Sequence, residues 1–412
     1  MKNGIYNVFL DSTEIRCKPN SVLTSRLLNY ILSNGHNFVE KISDADFIVL
    51  NTCGADDFRE KTSIDRIRIY KKLMKSGSKI VFVGCLTKIN VDALVDYLAD
   101  IIVIQDNNKL DDFFYISRKY EDIRIDYIDD RIYDKLKIPL HDGAFGKIFK
   151  RVEGLYRREW QKKRVDIEIC EGCPFNCSYC AMTRSRGKTV VSRDSRDIIE
   201  DIGKLVSGNK IISLVADDCG SYGIDIKADL CDLMIKISDK FPQNPLDIYY
   251  MNPHWIERFG DRYIDMIKKV SLSAITIPVQ SGSNKIIKKM NRKYDIHKII
   301  DVIKKIRKIS PKTVVVTHLM VGFPGETTMD FIKTILIIRH FDVCNPIIYS
   351  ERPGTVSSTM PDKKSGFTKF IRHKVLMMFC VIAFGCKFIY KPIINKLSLR
   401  NISFTTKTNL AE

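Results

Sequence analysis

Val165-Asp166-Ile167-Glu168-Ile169-Cys170-Glu171-Gly172-Cys173-Pro174-Phe175-Asn176-Cys177-Ser178-Tyr179-Cys180 carries a predicted strand, Val165–Ile169, into a loop with closely spaced thiols. Cys173, Cys177 and Cys180 stand in the order C-x₃-C-x₂-C. Three thiolates at one end of a short loop can hold three irons of a cubane [4Fe–4S] cluster and leave the fourth iron without a protein ligand. An open iron invites chemistry, because something other than the protein must bind there. Paired C-x-x-C ligands would suggest a closed zinc site, and a structural zinc remains the alternative reading of the loop. Cys170 could chelate with Cys173, but only the 173/177/180 register gives the x₃/x₂ spacing, which leaves Cys170 as a buried thiol. A loop that follows a strand sits at the strand's C-terminal end, where the active sites of α/β barrels lie.

Downstream, further strands are predicted at Ile211–Val215, Asp247–Tyr250, Ala274–Ile277 and Val314–Thr317. Helices fall between them, at Asp197–Ser207 and Ile296–Ile309 for example. Five or six such units over residues 165–360 suit a partial (β/α)6-type barrel better than a complete eightfold one. Upstream, strands at Ile5–Leu10, Phe47–Leu50, Lys79–Val83 and Ile101–Ile104 alternate with helices at Ser21–Asn34, Asp56–Lys75 and Val91–Leu98. Residues 1–135 therefore read as an α/β domain with a doubly wound parallel sheet. Residues 136–164, with Pro139, Gly143, Gly146 and Gly154, read as a connector, and 361–412 as a separate C-terminal segment.

Three more cysteines repeat one placement. Cys17 follows the first strand, Cys53 the second and Cys85 the third, and Asn51-Thr52-Cys53-Gly54 and Val83-Gly84-Cys85 set a thiol beside glycine. The C-terminal ends of neighbouring parallel strands converge on one crevice, so these thiols could hold a second cluster with an open iron. Each by itself also reads as a buried core cysteine.

The chain resembles the methylthiotransferase family of the radical S-adenosylmethionine (SAM) enzymes. The resemblance rests on segments running in family order over residues 13–355. They are Asn51-Thr52-Cys53, Gly84-Cys85, Glu171 through Cys180, Arg186-Gly187, Ser192-Arg193, Ile277 through Ser283, Met290-Asn291-Arg292, Val321 through Glu326 and Tyr349 through Thr355. It implies two [4Fe–4S] clusters, one on Cys173, Cys177 and Cys180 and one on Cys17, Cys53 and Cys85, together with bound SAM. It also implies an electron-donor protein as a partner. SAM cleaved at the first cluster yields a radical that takes a substrate hydrogen, and the second cluster supplies a sulfur. The resemblance puts Tyr179 against the SAM adenine. Asp217 and Asp218 suit SAM's ammonium or ribose hydroxyls, and Gln280, Ser281, Gly282 and Ser283 offer donors with little bulk. Turn or cap roles are the alternative for each. No catalytic side chain is assigned. Asp217 stands where the family usually has Gln, and His318 where it commonly has Asp; His318 reads as a proton carrier or a hydrogen-bonded core residue. Residues 361–412 do not read as the β-rich RNA-binding TRAM domain that usually ends the family.

The formal charge of +18, from 67 basic and 49 acidic residues, favours an acidic partner or else marks a solvated lysine-rich surface. Basic and aromatic residues interleave in Lys147–Arg164, as on a nucleic-acid contact surface. Lys285–Lys312 reads as a basic outer helix face. Val375–Cys386 is apolar with basic flanks and too short to span a bilayer. It is expected to be a helix packed on the core or in weak contact with a membrane surface. With no secretory segment expected at the N-terminus and twelve cysteines, the chain reads as a cytoplasmic protein with reduced thiols. The expected function is methylthio insertion into an unactivated C–H bond of a tRNA adenosine near the anticodon. The same chemistry on a ribosomal protein or peptide is the alternative, and a zinc-stabilised binding module is the reading from another class.

Overall fold

The computed structural model describes residues 4–14, 17–129 and 164–383. In the N-terminal unit every residue of strand Phe47–Thr52 is buried. A run of Phe, Ile, Val and Leu with no polar alternation fits a parallel strand covered on both faces. This strand is β3. It lies between β1 (Asn7–Ser12) and β4 (Lys79–Gly84), with β2 (Asn37–Phe38) and β5 (Ile101–Val103) at the edges, in the order β2-β1-β3-β4-β5. All these pairings are parallel.

Helix α1 (Lys18–Ser33) covers one face with Leu23, Leu27, Tyr30 and Ile31, and α2 (Asp57–Leu73) covers the other with Ile67 and Tyr70. Pro19 lies in the first turn of α1, where a missing N–H costs nothing, so the helix starts three residues earlier than Ser21. Asp56 caps α2 by accepting from the Arg59 amide at 2.8 Å. With helices on both faces, the order in which strands are added switches sides between β1 and β3. Their C-terminal ends border the crevice where such sheets bind ligands. Short helices α3 (Cys85–Ile89) and α4 (Asp111–Phe114) complete the unit. The helix expected over Val91–Leu98 is instead a 3₁₀ helix, Val91–Tyr97.

The second sheet has seven strands in the order β12-β11-β10-β9-β8-β6-β7. Six are parallel: β6 (Arg164–Glu171), β8 (Ile211–Ala216), β9 (Leu246–Ile248), β10 (Leu272–Thr276), β11 (Val314–Val321) and β12 (Val343–Ile348). The two-residue β7 (Val191–Ser192) is antiparallel to β6. This is the open, partial barrel expected from the sequence. Pattern reading missed β12 because Pro346 interrupts it; at a sheet edge the missing N–H is tolerated. Helices α5 (Met182–Arg186), α6 (Ser195–Leu205), α7 (Leu230–Lys240), α8 (Pro253–Lys269), α9 (Asn284–Lys289), α10 (Ile296–Ile309) and α11 (Thr328–Ile337) connect these strands.

Alternation along β6 explains how the barrel is built. Val165, Ile167 and Ile169 enter the core beneath the helices, while Arg164, Asp166 and Glu168 take the opposite, inner face. Arg164, expected on an RNA-contact surface, is buried and pairs with Asp247 at 2.7 Å. The rest of that basic stretch lies outside the described residues, as does most of the 136–164 connector. Residues 126–128, expected in the first domain, pair with β6: Glu168 donates to the Asp126 carbonyl at 2.7 Å and Ile128 to the Asp166 carbonyl at 3.1 Å.

The apolar run Val375–Cys386 falls within the described residues as far as 383, where it belongs to a helix over 366–383. Leu376 and Cys380 pack on the barrel core, and Arg372 pairs with buried Glu326 at 2.5 Å. Its outer face leaves Met378, Val381 and Ile382 exposed. Among the described residues no helix is long and apolar enough to cross a membrane.

Candidate functional site

Gly172 opens the loop of Cys173, Cys177 and Cys180. Its φ is +85°, and a Cβ there would stand 2.1 Å from the Thr189 carbonyl oxygen, so only glycine lets the chain turn out of β6 here. The turn Met290-Asn291-Arg292 then clamps the loop. Ser178 donates its amide to the Met290 carbonyl at 3.0 Å and its hydroxyl to the Lys289 carbonyl at 2.9 Å. Asn291 Nδ2 donates to the Asn176 carbonyl at 2.7 Å. Arg292, buried, donates from Nη1 to Tyr179 Oη at 2.8 Å, lies 4.0 Å from Cys177 Sγ, and reaches the Pro278 carbonyl with Nη2 at 2.9 Å. Phe175 packs edge-on against His254 and Trp255. The loop is thus held from outside itself, with its three sulfurs left over. Cys170 faces the core, its Sγ 3.9 Å from the Asp218 carbonyl.

The other three thiols come from separate strand ends. Cys17 precedes α1, Cys53 follows β3 and Cys85 begins α3. Gly84, with φ +93°, brings Cys85 against β3; a Cβ there would meet Asn51 Oδ1 at 2.2 Å. Thr13 Oγ1 accepts from the Cys53 amide at 2.9 Å, and Asn51 Nδ2 ties β3 to α1 through the Asn20 carbonyl at 2.9 Å. Arg352, from the far end of the barrel, crosses to this unit. It pairs with Glu60 at 2.8 Å and with Asp57, and Nη1 lies 3.4 Å from the Gly54 carbonyl beside Cys53.

The thiols of each set feel one another. Burial pushes Cys17 up to about 12, with the neighbouring Cys85 adding to it, and Cys53 is raised by burial and then by Cys85 and Cys17. Burial and the adjacent Cys177 push Cys180 up to about 12, and Cys173 is raised by burial, Asp218 and the two other thiols of its loop. Metal binding replaces the proton on a thiol and so offsets the cost that burial puts on its ionised form. Thiolates around one zinc stand roughly 3.8 Å apart. Among the described residues no three His, Cys, Asp or Glu converge tightly enough for a single ion. Two soft, all-thiol sets match the donor chemistry of iron–sulfur clusters.

The expected SAM contacts divide. Tyr179 lies inside the cysteine loop against Arg292. Gln280, at φ +65°, bridges to β11 through its backbone, and its Oε1 is buried with no hydrogen-bond partner. Ser281, Gly282 and Ser283 are occupied otherwise: Thr334 Oγ1 accepts from the Gly282 amide at 3.0 Å and lies 3.3 Å from Ser281 Oγ, and Ser283 Oγ donates to Asp330 at 2.7 Å. A Cβ on Gly282 would stand 2.2 Å from the Lys333 carbonyl oxygen, so this turn anchors α11. Asp218 accepts from Trp255 Nε1 at 2.7 Å and from the Asn252 amide at 2.8 Å, and burial raises it to about 6. Asp217 accepts from the Gly172 amide at 3.1 Å. Both aspartates thus fasten the cysteine loop and the strand ends around it. His318, on β11, sets its ring edge-on to Tyr250 at 5.2 Å, and burial lowers it to about 4, so it is neutral near pH 7.

Sequence reading gave no role to Arg292, Arg352 or Arg186, although each stands in a quoted segment.

The model for the Radical SAM superfamily matches residues 167–338, and that for the Uncharacterized protein family UPF0004 matches residues 12–104. A tRNA-2-methylthio-N(6)-dimethylallyladenosine synthase of Thermoanaerobacter pseudethanolicus is 30% identical over 380 residues, which is 89% of this chain and 76% of that protein. The ribosomal protein uS12 methylthiotransferase RimO of Chlamydia felis is 27% identical over 384 residues, 91% of this chain and 78% of that one. Among solved structures, the radical SAM methyltransferase TsrM of Kitasatospora setae shares the fold. Its TM-score is 0.57 at 12% identity, over 86% of this chain and 77% of that one. With both cysteine sets at strand ends and this similarity along most of its length, the chain belongs to the radical SAM methylthiotransferase family.

Proposed function

We propose that the protein inserts a methylthio group into an unactivated C–H bond of a tRNA adenosine near the anticodon. One observation carries the reading most directly. Helix α3, which begins at Cys85, packs on α5, which follows the Cys173–Cys180 loop, through Cys85, Ile89, Ala181 and Met182. The two thiol sets therefore share one seam. When bound, a cluster at the loop supplies an open iron and an electron to SAM, and a cluster at the strand ends supplies sulfur. The chain's residues hold these groups. Cys173, Cys177 and Cys180 would ligate one and Cys17, Cys53 and Cys85 the other, while Tyr179 and the unpartnered Gln280 Oε1 would receive SAM. Asp217 and Asp218 would act on SAM through the loop they fasten. Neutral His318 and Tyr250 would face substrate without adding charge.

The charge of +18 supports a nucleic-acid substrate. Exposed Lys288 and Lys293 flank the Met290–Arg292 turn that holds the loop. The tRNA-directed activity named for the Thermoanaerobacter relative points the same way. An electron-donor protein is the further partner this chemistry requires. The cysteines among the described residues are all free thiols, which supports a cytoplasmic, reducing location.

The test is mass spectrometry of tRNA nucleosides and ribosomal peptides from a strain lacking the gene. Loss of a methylthioadenosine from tRNA is the expected result. An intact tRNA profile with a methylthio mark missing from a ribosomal protein would move the assignment to a protein substrate.

A further inference from the structure

Arg186 ends α5 at the seam between the two units, where Lys88 Nζ also reaches the Ser185 carbonyl at 3.4 Å. Buried at that seam, its guanidinium interacts electrostatically with Cys85, Asp217, Cys17 and Glu168, most strongly with Cys85. Nε and Nη2 are shut off from solvent and have no hydrogen-bond partner among the described residues. The nearby carboxylates have other occupations. Glu168 lies 3.4 Å from Arg26, and Asp217 accepts from the Gly172 amide. Arg26, Arg59 and Arg352, also at the interface, all reach carboxylates at hydrogen-bonding distance. A buried donor left unpaired is costly, and more so when it is charged. The described residues therefore leave a cationic fork beside the second thiol set without an acceptor for Nε or Nη2.

We propose that Arg186 is a positioning residue for a small anionic sulfur ligand, a sulfide or an alkyl thiolate. Its Nε–H and Nη2–H donate to that ligand at the open corner of a cluster on Cys17, Cys53 and Cys85. The inference rests on the proposed second cluster. A planar guanidinium offers two donors in fixed directions, so it orients the bound sulfur as well as neutralising it; an ammonium supplies charge without that fork. Because α5 follows the Cys173–Cys180 loop directly, the residue that orients the sulfur moves with the SAM site and not with the domain that holds the sulfur.

The test uses full-length protein reconstituted anaerobically in a Cys173→Ala background, so that only the second cluster reports. Iron and acid-labile sulfide are measured first. Sodium methanethiolate is then titrated while the electron paramagnetic resonance spectrum and midpoint potential of the reduced cluster are followed. Arg186→Gln is expected to keep the iron content of its parent, to bind methanethiolate at least about tenfold more weakly, and to shift the potential to more negative values. Arg186→Lys should recover part of the potential and little of the binding. A Gln variant that titrates like its parent overturns the proposal, and so does one that loses iron, since that marks a purely structural arginine. A parent protein holding no cluster would sink the second-cluster reading and this proposal together, which is distinguishable because it precedes any substitution at 186.

Discussion

The two thiol sets hold the same number of cysteines and are built in opposite ways. Cys173, Cys177 and Cys180 belong to one loop, clamped from outside by Met290, Asn291 and Arg292. Cys17, Cys53 and Cys85 come from three strand ends and converge only because β1, β3 and β4 lie side by side in register. A loop carries its spacing in the covalent chain, whereas a strand-end set is only as good as the sheet beneath it. The interface arginines show how that second arrangement is braced: Arg352 reaches from the barrel to Asp57 and Glu60 next to Cys53, and Arg59 pairs with Glu14 at 2.5 Å on the same rim.

The largest effect should come from Cys173→Ala. It is expected to abolish both SAM cleavage and methylthio transfer and to lower iron from about eight to about four per chain, the counts that two cubanes and one imply. Unchanged iron would break the comparison at its first member. Cys53→Ala is expected to reduce transfer to background yet leave reductive SAM cleavage near wild type, as product analysis by mass spectrometry would read. Normal transfer would remove the strand-end set from the chemistry.

A smaller effect is expected at Arg352→Ala, which leaves the half-buried Glu60 carboxylate with Asn90 Nδ2 at 2.9 Å and removes one of the ties between the barrel and the N-terminal unit. It should cost about 2 kcal/mol in equilibrium unfolding and leave the loop cluster's spectrum intact. Equal damage to both clusters would show that the brace is not local to the strand-end set.

The smallest effect concerns pH. Burial holds His318 at about 4, below its ordinary 6.5. The folded state therefore binds fewer protons there than the unfolded chain. Stability from this residue is complete above about 6.5 and is lost as pH falls toward 4. His318→Gln should flatten that part of the unfolding profile, and an identical slope in the variant would show that the histidine is not shielded.

Legibility in the sequence followed the same division. The parallel sheets could be read from uniformly apolar runs such as Phe47–Leu50, and α10 was found at its full extent from its apolar spacing. β12 was not, because Pro346 reads as a breaker unless the strand is known to be an edge. The Ser281–Ser283 turn reads from sequence as a ligand cradle, because small polar residues after a strand suit that role; its packing against Thr334 and Asp330 adds an anchoring role that no local pattern announces. The 3.6-residue helical and two-residue strand periodicities say which face is buried, not what the buried polar group touches.

The chain alone determined the loop cluster's ligands as candidates, the class of fold and the family, because each is written in contiguous residues or in the order of segments. Tertiary structure decided what stands between the two thiol sets. Arg186, Arg292 and Arg352 are distant from Cys85, Cys177 and Cys53 in sequence, or separated from them by a turn whose direction no local pattern sets. Their partners are fixed by how the barrel docks on the N-terminal sheet. Guanidinium groups reach far on flexible stems, so their destinations depend on packing and not on spacing.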